Sequence, residues 1–547
     1  MPTNLSREGE MPVPETGSLY KTHQGEHSGD FSDTNLRVTR QTFIFAACAA
    51  VNSCNLGYDI GVSTHASALI QQTMGLTDVQ RELFVGSLNL WSIFGSLFAH
   101  WICDRYGRRD SFKVAAFGFI LGLVILAAAP NYTTLMVGRV FVGLGVGFGL
   151  AIDPLYIAEI SPAAHRGRLV TWSEIALNVG LVFGFFSGII FYNLNDNLEW
   201  RLMFAMGCIL PVIMIILVQT VMPESPRFLV DKGRVEEGKE ILRKLYPPGF
   251  NVDPIVRDIQ EAIERERIAE QAVGWSMILF PTPAIRRMLF LGVGTAIAQQ
   301  AVGIDPIQYY LMDVLEESGI QNEKSRLAVM MLLGVIKLLF IFVGGYFFDK
   351  RGRKPLFFIS LSGESPPFML SLCRLISHSL TLGMIVALLL VAISFVGQKD
   401  SSSGWTIGGL ALYMAFFSSG MGPGAWLIPS EIFATSIRAK AMSVATFCNR
   451  ITATLMASTF LSTVNAIGWG SFFFLLAGVC AIVIIFLYCF LPETKGRSLE
   501  DMSVYFAEIT GDTSLLEAEK KIIRQRGGIT VELVPATVPP SKEAEMT

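Results

Sequence analysis

What most constrains this chain is the recurrence of apolar stretches near the length an α-helix needs, about 20 residues, to cross about 30 Å of hydrocarbon. They fall at residues 41–69, 83–103, 112–129, 134–158, 169–192 and 202–222, and again at 286–312, 327–348, 355–396, 406–429, 440–465 and 469–491. Inside lipid, backbone polar groups must be satisfied within a helix or a closed barrel. A barrel would show short alternating strands, and this sequence shows none. The pattern predicts an all-α polytopic membrane protein with twelve transmembrane helices. Composition agrees, because 51% of the 547 residues are hydrophobic and only 16% are charged, whereas soluble domains carry about 25% charge.

Other features narrow the class by exclusion. A formal charge of -3 provides no basic field, so nucleic acid is not an expected partner. The eight cysteines (48, 54, 103, 208, 373, 448, 480 and 489) lie mostly inside apolar runs without metal-like pairs or a disulfide framework, and read as small lipid- or core-facing residues. No phosphate loop is present, which argues against ATP-driven pumping. The glycines at 143, 145, 147 and 149 follow no strand and read as a close helix-packing surface. Nothing points to an enzyme, a metal or an organic cofactor.

Basic residues set the orientation. DRYGRRDSFK, AAHRGR and DKRGRK lie in the connections after spans two, four and eight, while PNYTT and NLNDNLEW, after spans three and five, carry no base. Both termini are therefore expected in the cytoplasm. Residues 1–38 read as a disordered cytoplasmic N-terminus without a cleavable signal. Residues 39–224 form a first six-helix half, and 225–284 a cytoplasmic linker whose helical periodicity and many charges keep it out of lipid. Residues 285–492 form a second half and 493–547 a cytoplasmic tail. The sequon at Asn131 lies on a very short outer loop and is expected to be unused.

The two halves repeat each other. DRYGRR at 104–109 recurs as DKRGRK at 349–354, EISPAAHR at 159–166 as EIFATSIR at 431–438, and Pro223-Glu-Ser as Pro492-Glu-Thr. Three motifs in one order indicate parallel repeats. The second half carries extra residues between its first two motifs, partly in the polar loop 397–405 and partly inside span nine. There ESPPFMLSLCRLISH breaks an apolar run with an acid, two prolines, an arginine and a histidine, so 364–378 is expected to be an insertion, whether genuine or a retained intron.

The ordered set of motifs resembles the sugar porter family of the major facilitator superfamily over about residues 40–500. It comprises GYDIG at 57–61, DRYGRR, the Gly138-Arg139 pair, EISPAAHRGR, PESPRFL at 223–229, QQAVGID at 299–305, DKRGRK, GPGAW at 422–426, SEIF with Arg438, and PETKGRSLED at 492–501. Glu174, where hexose porters usually have Gln, Asp305, Lys337 and Asn449-Arg450 make the chain most similar to polyol and monosaccharide proton symporters. Pro306, Pro429 and the interrupted ninth span depart from the family pattern.

The residues and the resemblance together suggest a mechanism. An ionised carboxylate at membrane depth is costly unless it is paired or protonated, and Asp59 lies deep in span one, with Arg139 in span four as its natural partner. The resemblance makes this pair the proton-coupling site, with protons the only coupling agent. Arg139 cannot deprotonate, so the acid must carry the proton. The resemblance also assigns substrate contact to Glu174, Gln299, Gln300, Asp305, Tyr309 or Tyr310, Phe417, Trp426 and Asn449. Amides both donate and accept, as a sugar hydroxyl does, and Trp426 offers an aromatic face. Lys337 is too central to snorkel and is expected to join a buried network with Asp305 or Glu174. Asp104, Arg108, Glu159 and Arg166, with Asp349, Arg353, Glu431 and Arg438 in the repeat, are read as interdomain ion pairs that hold the outward-open state. Glu224, Arg227 and Glu493 extend that gating network. The expected function is proton symport of a monosaccharide or sugar alcohol, by a monomer in a lipid bilayer, with the plasma membrane the expected location and a vacuolar or plastid membrane the alternatives. The alternatives are a uniporter or a non-transporting sugar receptor.

Overall fold

The structure, a computed structural model, describes residues 39–162, 165–272, 275–351, 380–396, 403–434, 437–492 and 499–512. Among the described residues all regular structure is helical. The first half comprises α1 (Arg40–Met74), α2 (Asp78–Tyr106), α3 (Arg108–Ala128), α4 (Tyr132–Ile160), α5 (Arg166–Phe191), α6 (Asp196–Met206) and α7 (Ile209–Thr220). Four linker helices follow: α8 (Pro226–Asp231), α9 (Val235–Leu245), α10 (Asp253–Ala272) and α11 (Ser276–Leu279). The second half comprises α12 (Pro283–Ala301), α13 (Ile304–Tyr309), α14 (Leu311–Glu317), α15 (Glu323–Arg351), α16 (Leu380–Val396), α17 (Ser403–Ser419), α18 (Met421–Ile432), α19 (Arg438–Ser458), α20 (Phe460–Ile467) and α21 (Trp469–Phe490), before a final helix α22 (Leu499–Thr510).

Nine segments among the described residues are long and apolar enough to cross a membrane, with α6–α7 and α12–α13 each acting as one span. The apolar Leu382–Val396, α17 continuing into α18, and α19 continuing into α20 occupy the remaining positions of the twelve-span pattern. The expected insertion at 364–378 lies outside the described residues, as does Cys373. The other seven cysteines are free thiols.

Local chemistry sets the breaks between these helices. Gly75 ends α1 in the left-handed conformation, and Thr77 opens α2 with a capping box closed by Gln80, which satisfies two otherwise orphaned amides. Asn131 is committed to capping α4, its Oδ1 accepting from the Thr134 amide at 2.9 Å. Span seven is broken at Gly303, whose φ of +90° favours glycine. Pro306 then falls in the first turn of α13, where a missing N–H leaves no helical bond unmade.

Packing repeats between the halves. In the first half α1 packs on α5, α2 on α4, and α3 on α6 and α7; in the second, α12 packs on α19, α15 on α17, and α16 on α21. The halves meet where α2 crosses α19 and α5 crosses α15. Helix α1 carries a run of polar side chains, with Asn52, Ser53, Asn55, Asp59, Ser63, Thr64, His65 and Ser67 all buried. Polar side chains at membrane depth must face protein, so α1 lies inside the bundle against α4, α5, α6 and α7 and reaches α13 in the other half.

Two apolar clusters divide the molecule. One joins both halves, running from Leu56–Ile70 and Phe84–Leu88 to residues of α12–α21. The other, from Phe45 to Val256, contains only first-half and linker residues, and it lies at the end carrying the arginine-rich connections. That end is called inner here and the opposite end outer.

Candidate transport site and gates

Arg139, two turns into α4, reaches across to α1. Its Nη1 donates to Asp59 Oδ2 at 2.9 Å and Oδ1 at 3.1 Å, and its Nη2 donates to Ser63 Oγ at 2.7 Å. Both side chains are fully enclosed, 0% and 1% exposed. The guanidinium also lies 4.0 Å from the centroid of the Phe84 ring, a cation–π contact that favours the charge in a dry setting. Breaking such a pair would strand a buried cation, so a proton reaching Asp59 would change the packing of α1 against α4.

A polar network lines the second half. Asn449 on α19 donates to Ala296 O at 2.7 Å and to Gln299 Oε1 at 2.8 Å, and Gln299 donates to Gly422 O at 3.0 Å, which ties α12, α18 and α19 together. Arg450 donates to Asn449 Oδ1 from Nη2 at 2.6 Å and reaches Asn89 Oδ1 on α2 at 3.3 Å. With its amide oriented to satisfy both neighbours, Gln300 donates to Asp305 Oδ2 at 3.1 Å and accepts from Arg450 at 3.2 Å. Glu174 on α5 and Asp305 on α13 are half-buried at mid-span, and both lie within electrostatic reach of Lys337 and Arg450. Two acids and two bases, Glu174 from the first half and the others from the second, therefore form one charged cluster.

Three details differ from the sequence expectation. Lys337 donates directly to Gln308 Oε1 at 2.8 Å, so its hydrogen-bond partner is an amide, with Asp305 and Glu174 as charge neighbours. An amide one turn from Asp305 is closer to the α15 register, and sequence spacing does not reveal that. Tyr310 donates to Ala457 O at 2.9 Å and stacks on Phe460 at 4.7 Å, which commits it to the outer end, whereas Tyr309 is buried at the α13 terminus. The aromatic candidates also split: Phe417 is buried with its ring 6.5 Å from Tyr413, while Trp426 on α18 is half-buried.

The inner cluster closes within the first half. Arg108 grips Glu159 with a two-pronged pair of bonds at 2.9 and 2.8 Å, lies 5.4 Å from the Phe228 ring, and has exposed Asp104 at 3.8 Å. The Glu224 carboxylate accepts the amides of Arg108 at 2.9 Å, Arg109 at 3.2 Å and Ser225 at 2.9 Å, so it sits on the positive end of α3. Gly107, with φ of +98°, makes that turn possible; a Cβ there would lie 2.4 Å from Glu224 Oε2. The expectation of interdomain pairs is thus corrected for Arg108, Glu159 and Glu224, because the turn at Gly107 delivers Arg108 to anions on neighbouring spans of its own half. Of the repeat, Glu431 and Arg438 are half-buried at the α18–α19 junction, where Arg438 donates to Phe433 O at 3.5 Å. Arg227 lies on α8. Arg353 and Glu493, and the side chains of Arg166 and Asp349, lie outside the described residues.

Among the described residues, several side-chain bonds join the two halves at the outer end. Arg81 Nη1 and Nη2 donate to Asp313 Oδ1 and Oδ2, each at 2.7 Å, and the guanidinium lies over the Tyr310 ring at 5.3 Å. Glu82 accepts from Ser462 N at 2.7 Å and Ser462 Oγ at 2.5 Å, and Asp78 accepts from Asn465 at 2.9 Å. Thr64 donates to Gln308 O at 3.0 Å, and His65 meets Glu323 at 3.0 Å. Apart from Tyr310, none of these outer residues is singled out by the sequence. Only the burial of charge in an apolar run signals them, and it names no partner.

The sequence profile of the "Sugar (and other) transporter" family matches residues 45–506. Among relatives, "Probable polyol transporter 4" of Arabidopsis thaliana is 37% identical over 529 residues, covering 94% of this chain and 97% of its own length. "Polyol transporter 5" of the same organism is 34% identical, with coverage of 85% and 86%. Among solved structures, the inward-open xylose transporter XylE of E. coli superposes with a TM-score of 0.69 at 24% identity, covering 85% of this chain and 99% of that one, and supports the fold alone. Matching over almost its whole transmembrane body, the chain belongs to the sugar transporter family of the major facilitator superfamily and is an integral membrane protein.

Proposed function

We propose that this protein is a proton symporter for a monosaccharide or sugar alcohol, working by alternating access. The observation that carries this reading is the enclosed Asp59–Arg139 pair. It is a charge pair whose only group able to take a proton is the acid, set on the helix that touches the other half. Support comes from the polyol transporters among the relatives and from the likeness to the solved structure of the proton:xylose symporter XylE bound to 6-bromo-6-deoxy-D-glucose, 25% identical with a TM-score of 0.69.

Protonation of Asp59 would leave Arg139 held by Ser63 and the Phe84 ring, which frees α1 to move against α4. One turn along α1, Thr64 is bonded to the Gln308 carbonyl, and the Gln308 side chain holds Lys337. The proton site and the polar cleft are thus joined through α13. In the cleft, Asn449, Gln299, Gln300, Asp305, Glu174 and Lys337 would answer hydroxyls that donate and accept at once, and half-buried Trp426 would stack on a C–H face. The density of charged groups favours a polyol, whose every carbon carries a hydroxyl. The chain acts as a monomer, in this reading at the plasma membrane.

The test is uptake of labelled sorbitol and glucose in transporter-deficient cells at acid and neutral pH, with a protonophore and with Asp59→Asn. Accumulation that is acid-stimulated, abolished by the protonophore and lost in the variant is the expected result. Uptake indifferent to pH and protonophore would make the protein a uniporter. No uptake by protein confirmed at the surface would favour the receptor reading.

A further inference from the structure

At the outer end, His65 on α1 sits between two carboxylates from different parts of the chain. Its Nδ1 faces Glu199 Oε1 of α6 at 3.7 Å, and its Nε2 faces Glu323 Oε1 of α15 at 3.0 Å. One ligating atom from each of the three residues falls within 4.8 Å of the others. His65 and Glu199 are each 1% exposed, and His65 Nδ1 and Glu199 Oε1 have no hydrogen-bond partner. Helix α5 approaches this histidine closely: a Cβ on Gly188 would lie only 2.8 Å from His65 Nδ1. Asp196 adds negative potential at Glu199, while Arg326, a base near Glu323, is itself engaged by Glu316.

From this geometry we propose that His65, Glu199 and Glu323 form a binding site for a transition-metal dication of the Zn²⁺ class, which clamps the two halves together at the outer end. Two carboxylates, one buried and one partly exposed, converge on one imidazole and favour a cation between them, and the imidazole nitrogen selects zinc-like ions over Mg²⁺ and Ca²⁺, which take oxygen ligands. Ligands at about 2.0–2.2 Å from a tetrahedral ion stand about 3.3–3.6 Å apart, so small side-chain rotations close the cluster around it. Three protein ligands leave a fourth position for water. His65 and Glu199 belong to the first half and Glu323 to the second, so opening the outer end pulls the site apart. The ion therefore binds the closed state more tightly and shifts the population toward it. It would act as an inhibitor from outside, entering when the gate is open and holding it once shut. The three residues lie on well-separated spans, which is why no spacing rule reveals the site.

The test is thermal unfolding of tag-free, full-length protein in detergent, with ZnCl₂ or MgCl₂. Zn²⁺ is expected to raise Tm by several degrees and Mg²⁺ to leave it unchanged. The shift should disappear in His65→Gln and Glu323→Gln, and should shrink in Gly188→Ala, whose methyl group presses on His65 Nδ1 without removing a ligand. In cells, external Zn²⁺ should inhibit uptake, with at least tenfold weaker potency in Glu323→Gln. No Tm shift in the unaltered protein, or a shift that survives in both ligand variants, would overturn the proposal. Glu323 is partly exposed, so its variant decides the matter if His65→Gln does not fold. The Tm measurement is independent of whether the protein transports a sugar.

Discussion

The outer and inner ends of this bundle use the same chemical vocabulary for opposite purposes. At the outer end an arginine–carboxylate fork, Arg81 with Asp313, joins the two halves. At the inner end an equally well-formed fork, Arg108 with Glu159, joins spans of one half. The apolar clusters follow the same division, one spanning both halves and the other containing only the first half and its linker helices. A rocking transporter needs one end latched between its halves and the other end built so that each half survives without its neighbour. The difference therefore lies in which helices an ion pair connects, and the kind of ion pair is the same.

Separate substitutions at the two ends should show this division. Arg81→Ala has the largest expected effect: it strands Asp313 and removes the fork over Tyr310, at a cost of about 3–5 kcal/mol to the closed outer end. Labelling of a Thr64→Cys reporter from outside should rise sharply, and Arg81→Lys should not restore closure, because an ammonium cannot make the paired bonds. Unchanged labelling would break the comparison. Next, Glu159→Gln should cost the first half about 1.5–3 kcal/mol. This should be visible as faster hydrogen exchange in α3 and α4 without added labelling at position 64; increased outer labelling would mean the inner fork acts across the halves after all. Smaller again, Gly107→Ala forces a side chain into φ of +98° against Glu224 and should lower first-half stability by about 1–2 kcal/mol, measured by the same exchange.

The smallest effect concerns pH. Burial pushes the Glu224 carboxyl above its ordinary range, against the opposing pull of the Ser225, Arg108 and Arg109 amides and the Arg108 charge. A raised carboxyl contributes stability that is complete below the ordinary value of 4.5 and is lost as pH rises through the raised value. Mild acid should therefore tighten the inner end of the first half, and Glu224→Gln should flatten that part of the Tm–pH curve. A profile that keeps its slope in the variant would assign the effect to another group.

Much of this was readable in the residues. The spans, the repeat and the pairing of Asp59 with Arg139 all rest on apolar length, ordered motifs and buried charge that the sequence itself displays. The misreadings share a cause. Lys337 was recognised as needing a partner, but periodicity reports which face a residue occupies and not which helix comes to meet it, so Gln308 stayed hidden. Tyr309 and Tyr310 are adjacent, and a small change in the register of α13 decides which faces the interior and which stacks on Phe460. Arg108 and Glu159 were seen as a pair, yet the sequence does not say whether the pair lies within a half or between halves.

The sequence by itself determined the architecture, because apolar length in lipid admits little besides a helix, and a buried carboxylate with a buried arginine admits little besides a pair. Tertiary structure alone decided which end is latched, and it alone assembled His65, Glu199 and Glu323. Both depend on contacts between residues far apart in the chain, whose distances are set by how the helices pack, and no local pattern in the sequence records that packing.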